Sequence, residues 1–103
     1  MQARHALPVL GLATLLSSGC GAVIARTKIV SAEAALAGAR LAGGDQKSVY
    51  EYTGAELYLE KAREEESYGR FGPAIDFGDT ATKLADEAKL NAATAEPDSP
   101  PEP

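Results

Sequence analysis

The sequence predicts an all-α protein: a small antiparallel two- to three-helix bundle or hairpin, ending in a disordered, acidic, proline-rich tail. Three observations carry this. Apolar residues and alanines recur at intervals of three and four; glycines and a proline punctuate the chain where such runs end or restart; and no stretch alternates with the period of two that a half-buried strand requires. The core is thin, because 20 of the 103 residues are Ala and only twelve Val, Leu or Ile and two Phe follow position 20. Alanine faces let helices approach closely but bury little area per residue, so a chain of this size is marginally stable unless a partner or second copy covers it.

The first helix is expected from about residue 27 to 42. Ile29, Ala32, Leu36 and Ala39 fall on one face, and Gly43-Gly44 supplies the left-handed residue that ends a helix. Gly38 within it either weakens the helix or marks a close backbone approach. Residues 20–26 before it form a tether or extend the same helix. Gly43 to Lys47 reads as a polar loop. Ser48-Val49-Tyr50-Glu51 then has the S-x-x-E spacing of a capping box, placing the second helix at about 49–69. Its inner stripe is Tyr52, Ala55, Tyr58 or Leu59, and Ala62, with Glu60, Lys61, Arg63 and Glu64 to Glu66 on the outside. Gly72-Pro73 restarts the chain with Pro at a first helical position, and the third helix runs to about residue 92. Its expected buried face is Ala74, Phe77, Ala81, Leu84, Ala85 and Ala88, with Asp79 and Lys83 paired outside. Residues 93–103 hold four of the six prolines and no large apolar side chain, the composition of a disordered tail.

Residues 1–19 have the layout of an export signal: Arg4 in a basic start, then an apolar stretch from Ala6 to Leu16, too short to span a bilayer at roughly 20 residues per crossing. Leu15-Leu16-Ser17-Ser18-Gly19-Cys20 resembles the lipobox of bacterial lipoproteins, in which small residues precede an obligatory Cys. Ser17 stands where the family favours Leu. The resemblance implies that Cys20 receives a thioether-linked diacylglycerol and becomes the acylated N-terminus, with residues 20–26 as the lipidated start and tether. The covalent lipid would be its only prosthetic group, no other cofactor being expected. Gly21 rather than Asp after the Cys implies the periplasmic leaflet of the outer membrane. The alternatives are a secretory signal without lipidation, or an uncleaved N-terminal anchor with Cys20 a free thiol.

Removal of residues 1–19 would leave nine basic against fifteen acidic side chains, a poor partner for nucleic acid. Cys20 would be alkylated, and the only His, His5, would be lost with the signal. That excludes imidazole- and thiol-based catalysis and the usual zinc ligand sets, and no metal site is expected. Glu64-Glu65-Glu66 and the pair Asp76 and Asp79 are the acidic clusters, and consecutive glutamates on a helix point into water in different directions rather than into a cleft. The expectation is a protein that is not an enzyme.

The four tyrosines all fall in the second helix or at its ends. Tyr52 and Tyr58 lie near Ala55 and Leu59, whereas Tyr50, Leu57 and Tyr68 cluster on another side. The two sets either pack both faces of a middle helix, or leave Tyr50, Leu57 and Tyr68 as a contact surface for a partner. Gly69-x-Phe71-x-x-Ala74-Ile75 followed by Ala81 is weakly similar to the turn and second helix of a tetratricopeptide-type hairpin, with Lys61 and Glu65 at positions usually apolar. Only one such unit fits. The segment from Tyr50 to Glu65, with the helix from Phe71 to Lys89, resembles the domain-of-unknown-function family 4398, small helical envelope proteins of Gram-negative bacteria. That resemblance implies a helical periplasmic module and brings no catalytic residues. Together these resemblances imply a membrane-anchored, non-enzymatic structural or adaptor lipoprotein of the cell envelope, bound to an envelope protein or to itself. The alternatives are a small lipoprotein regulating a cell-wall enzyme, or a secreted helical protein without lipid.

Overall fold

A computed structural model describes the backbone of residues 3–95 and the side chains of residues 19–95. The chain is all-α: α1 (Ala3–Leu41), α2 (Gly44–Lys47), α3 (Val49–Ser67) and α4 (Phe71–Thr94), with no strand among the described residues. α3 runs antiparallel to both neighbours, so α1 and α4 are parallel. α4 is the central element, packed along its length against α1 on one side and α3 on the other.

Of the two readings of residues 20–26, the structure holds the helical one. α1 passes through them without a break, because the period of its buried stripe extends backwards. Ala25, Ile29, Ala32 and Ala39 are buried. A β-carbon on Gly21 would lie 3.4 Å from Phe71 Cδ2, so α1 and α4 are already side by side at Gly21. α1 ends as expected: Gly43 has φ 86° and its amide hydrogen bonds to the Arg40 carbonyl. The loop expected at 43–47 is instead one short helical turn, α2. It closes tightly over α1 and α4, where a β-carbon on Gly44 would meet the Ala39 carbonyl oxygen at 2.9 Å and that of Ala88 at 3.2 Å.

α3 buries Tyr52, Ala55, Leu59 and Ala62, which selects Leu59 over Tyr58 for the inner stripe. It ends at Gly69, φ 73°, where the Gly69 amide bonds the Glu66 carbonyl and the Arg70 amide bonds the Glu65 carbonyl, the paired arrangement of a Schellman motif. α4 starts at Phe71, two residues before the expected Pro73. Pro73 is tolerated there because a first-turn amide has no acceptor within the helix. α4 buries Ala74, Gly78, Ala81, Ala85, Ala88 and Ala92. Phe77 and Leu84, expected inside, are half-buried, since the closest helix approach is made by the smallest residues and bulkier neighbours are turned to the flanks. Asp79 does not pair with Lys83; its carboxylate meets Lys28 Nζ of α1 at 3.0 Å. Ala93 and Thr94 are helical rather than tail, and residues 96–103 lie outside the described residues.

The core has two clusters. One, nearer Cys20, joins Ile29, Ala32, Leu59, Ala62 and Ala81, flanked by Phe77. The other joins Ala39, Tyr52, Ala55, Ala85 and Ala88, flanked by Ala35, Leu36 and Leu84. Gly38, beside Ala39 of the second cluster, marks no tight approach, because the nearest atom to a β-carbon there is Lys89 Nζ at 3.9 Å. Gly38→Ala is therefore expected to stabilise the bundle by about 0.5–1 kcal/mol through helix propensity, seen as a higher urea midpoint with an unchanged slope.

Candidate functional site

Two features stand outside the core: Cys20 and the groove between α3 and α4. Cys20 is exposed on α1. Gly21 beside it faces Phe71, the first residue of α4, and Arg26 pairs with Glu66 near the end of α3. Cys20 thus shares one end of the bundle with the α3–α4 turn, while α2 and the end of α4 stand at the other.

The groove lies in the half far from Cys20 and has a volume of about 890 Å³. Val49, Tyr50, Thr53, Leu57 and Tyr58 of α3 form one wall, and Thr80, Leu84 and Glu87 of α4 the other, with Lys83 on the rim. Small residues on α3 make it a groove rather than a ridge. Gly54 sits opposite Leu84, whose Cδ1 is 3.2 Å from where a β-carbon would stand, so Leu84 fills the floor between the helices. Towards the Cys20 end the Tyr58 and Phe77 rings meet with centroids 5.9 Å apart, and Lys61 Nζ lies 5.8 Å from the Phe77 centroid. Tyr50 is 84% and Leu57 58% exposed, apolar area that the bundle's own packing leaves uncovered. Such a concave apolar strip with charged rims has the shape that receives one face of an amphipathic helix.

The structure brings Tyr50 and Leu57 together in this groove and separates Tyr68 from them. A helical wheel places all three on one side, but Tyr68 follows Tyr50 by eighteen residues, about 27 Å along α3 at 1.5 Å per residue. It lies at the α3–α4 turn instead, with the Arg70 guanidinium carbon 5.3 Å from its ring centroid.

One residue of each acidic cluster pairs across the bundle, Glu66 with Arg26 and Asp79 with Lys28, while Glu64 and Asp76 are exposed. Glu65 Oε2 lies 3.6 Å from Arg70 Nη1 at the α3–α4 turn, and Arg63 Nη2 of α3 donates to Glu33 Oε1 of α1 at 2.9 Å. Among the described residues no group of His, Cys, Asp or Glu is placed to hold a metal ion, and no helix is long and apolar enough to cross a membrane.

Sequence spacing identified Ser48 and Glu51 but not what they do. The reciprocal side-chain-to-backbone bonds of a capping box do not form. Instead the buried Ser48 hydroxyl donates to Glu51 Oε2 at 2.7 Å and accepts from Asn91 Nδ2 at 3.1 Å. This chain of bonds ties the start of α3 to the end of α4 at the far mouth of the groove. The Ser48 hydroxyl, and then Glu51's own backbone amide, hold the Glu51 carboxyl below its ordinary pKa. Ser48→Ala is expected to cost about 0.5–1.5 kcal/mol through loss of these bonds, since the exposed Asn91 amide can turn to water. It should also return the Glu51 titration, followed by carboxyl NMR, towards the ordinary value. In the unmutated chain the Glu51 contribution is present above the ordinary carboxylate pKa and fades as pH falls through the lowered value.

Comparison with protein-family models, curated proteins and solved structures gave no match to this chain.

Proposed function

We propose that this chain is a lipid-anchored, non-enzymatic adaptor of the bacterial envelope, held through Cys20 in the periplasmic leaflet of the outer membrane, with the α3–α4 groove offered to a helical segment of an envelope protein. The observation that carries the reading is the position of the sole cysteine. It closes a lipobox-like sequence, is exposed, and stands one residue before Gly21, where α1 already faces Phe71 of α4. A chain cleaved there would lose none of the helix packing found from Gly21 onward. Two or three acyl chains, at about 0.8 kcal/mol per buried methylene, hold such a bundle on a membrane persistently, where a single chain is marginal. The groove lies at the end away from the lipid, so the anchor and the recognition surface do not compete for space.

The test is intact mass and membrane fractionation in a Gram-negative host. The wild type is expected to carry acyl mass and to fractionate with the outer membrane, whereas Cys20→Ala loses both. A wild type of unacylated mass overturns the anchor. Tyr50→Ser and Leu57→Ser, at exposed positions, are expected to leave unfolding within about 0.5 kcal/mol of wild type while reducing photo-crosslinking from Thr53 to the envelope partner.

A further inference from the structure

The groove leaves Tyr68 unexplained, and the other end of the bundle gives it a setting. The proximity of Gly21 to Phe71 puts the α3–α4 turn beside Cys20, and with a rise of 1.5 Å per residue Tyr68 lies within roughly one helical turn of the level of Cys20 along the bundle axis. Tyr68 is 67% exposed, and Arg70 covers one face of its ring. The Arg70 side chain is itself 63% exposed, and its ion pair with Glu65, at 3.6 Å, leaves most of its five N–H donors open to solvent. A phenol ring with an apolar body and a polar tip, next to a guanidinium suited to phosphate, matches the chemistry of a lipid headgroup layer.

Resting on the lipid anchor proposed above, we infer that the Tyr68–Arg70 turn is a second membrane contact: the ring settles among the headgroups of the bilayer that holds Cys20, and the guanidinium bonds their phosphates. Glu64, Glu65 and Glu66 lie just before the turn and disfavour an anionic surface, so the matching headgroups are zwitterionic. Two contacts at one end of a rod fix its tilt. The bundle then stands off the membrane with its groove at the outer end, instead of swinging about a single flexible point.

The chain contains no Trp, so Tyr68→Trp creates a single fluorophore that keeps the interfacial character of the site. Tyr50→Trp, in the groove, is its companion. Each acylated variant is purified and reconstituted into vesicles of phosphatidylethanolamine and phosphatidylcholine, with or without a nitroxide on the phosphatidylcholine headgroup. The Tyr68→Trp emission is expected to lie at shorter wavelength than that of Tyr50→Trp and to lose most of its intensity to the nitroxide, while Tyr50→Trp keeps its own. Adding Arg70→Ala is expected to reduce both the shift and the quenching. Protein that floats with the vesicles but has unshifted Tyr68→Trp emission overturns the inference and leaves the anchor standing, even if proximity causes some quenching. Failure to float overturns the anchor and the inference together.

Discussion

Ile29→Ala is expected to destabilise the bundle by about 2–5 kcal/mol, towards the upper part of that range. Among the described residues Ile29 is the only large side chain that is completely buried, and it is the bulk around which Ala32, Leu59, Ala62 and Ala81 close. Cavity cost depends on whether the surroundings can collapse, and here they cannot readily do so. α1 already touches α4 through backbone-level contacts at Gly78 and meets the Gly44 corner, so it has no room to slide inward over the missing methyls. Of its lining, Ala32, Ala62 and Ala81 have no rotamers with which to fill the cavity, leaving only Leu59 and the flanking Phe77 to move. Small domains commonly have 5–15 kcal/mol of total stability, and one with so little apolar bulk belongs near the bottom of that range. The variant should therefore be partly unfolded at ambient temperature, visible as loss of helical circular dichroism at low urea, whereas Ile29→Val should cost only about 0.5–1.5 kcal/mol.

The helical class, the three long helices and their order were legible because the signals are local. Gly43 and Gly69 mark helix ends whatever the helices later pack against, and the stripe of Tyr52, Ala55, Leu59 and Ala62 keeps its spacing in isolation. Alanine blurs the remainder. It is accepted on either face, so although Ala74, Ala81, Ala85 and Ala88 of α4 were expected inside and are, a reading that favours bulk turned Phe77 and Leu84 inward as well and passed over Gly78 and Ala92. The same weighting left residues 20–26 open between tether and helix, although Gly21, Ala25 and Ile29 recur every four residues.

The candidate site was legible in part, for a geometric reason. Periodicity reports the angle of a residue around its helix and nothing of its partners. Tyr50 and Leu57 could be grouped correctly because they are two turns apart, whereas Tyr68 shares their angle from the opposite end of α3. The far wall of the groove, with Leu84 seated opposite Gly54, depends on the register of α3 against α4, and no local pattern records it. The bond from Asn91 to Ser48 joins residues 43 positions apart and was invisible for the same reason. Asp79 shows how such register overrides a local rule: four residues from Lys83 on an exposed helix face, it pairs across the helices with Lys28.

Gly78→Leu is expected to separate α1 from α4 and to cost about 3 kcal/mol or more, at or beyond the upper end of ordinary overpacking. A β-carbon at position 78 would already stand 3.0 Å from Lys28 Cβ, 3.3 Å from the Lys28 carbonyl carbon and 3.4 Å from its oxygen. Two of those three atoms are backbone in the middle of a long helix, which cannot move one residue without moving the turn around it. Gly78→Ala would gain up to about 1 kcal/mol in helix propensity. Leucine gains nearly as much, but it adds three further carbons along a contact where the helices meet through Ala74, Ala81, Ala85 and Ala88. Relief requires the two helices to part, which exposes that alanine face and stretches the Lys28 to Asp79 ion pair at the same level. Gly38→Ala in α1 isolates the cause: each substitution removes a mid-helix glycine, one where space is open and one where it is filled, so opposite signs in urea unfolding would assign the effect to interhelical packing. If Gly78→Leu unfolded at the same urea concentration as wild type, the close approach of α1 to α4 would not contribute to holding the bundle together.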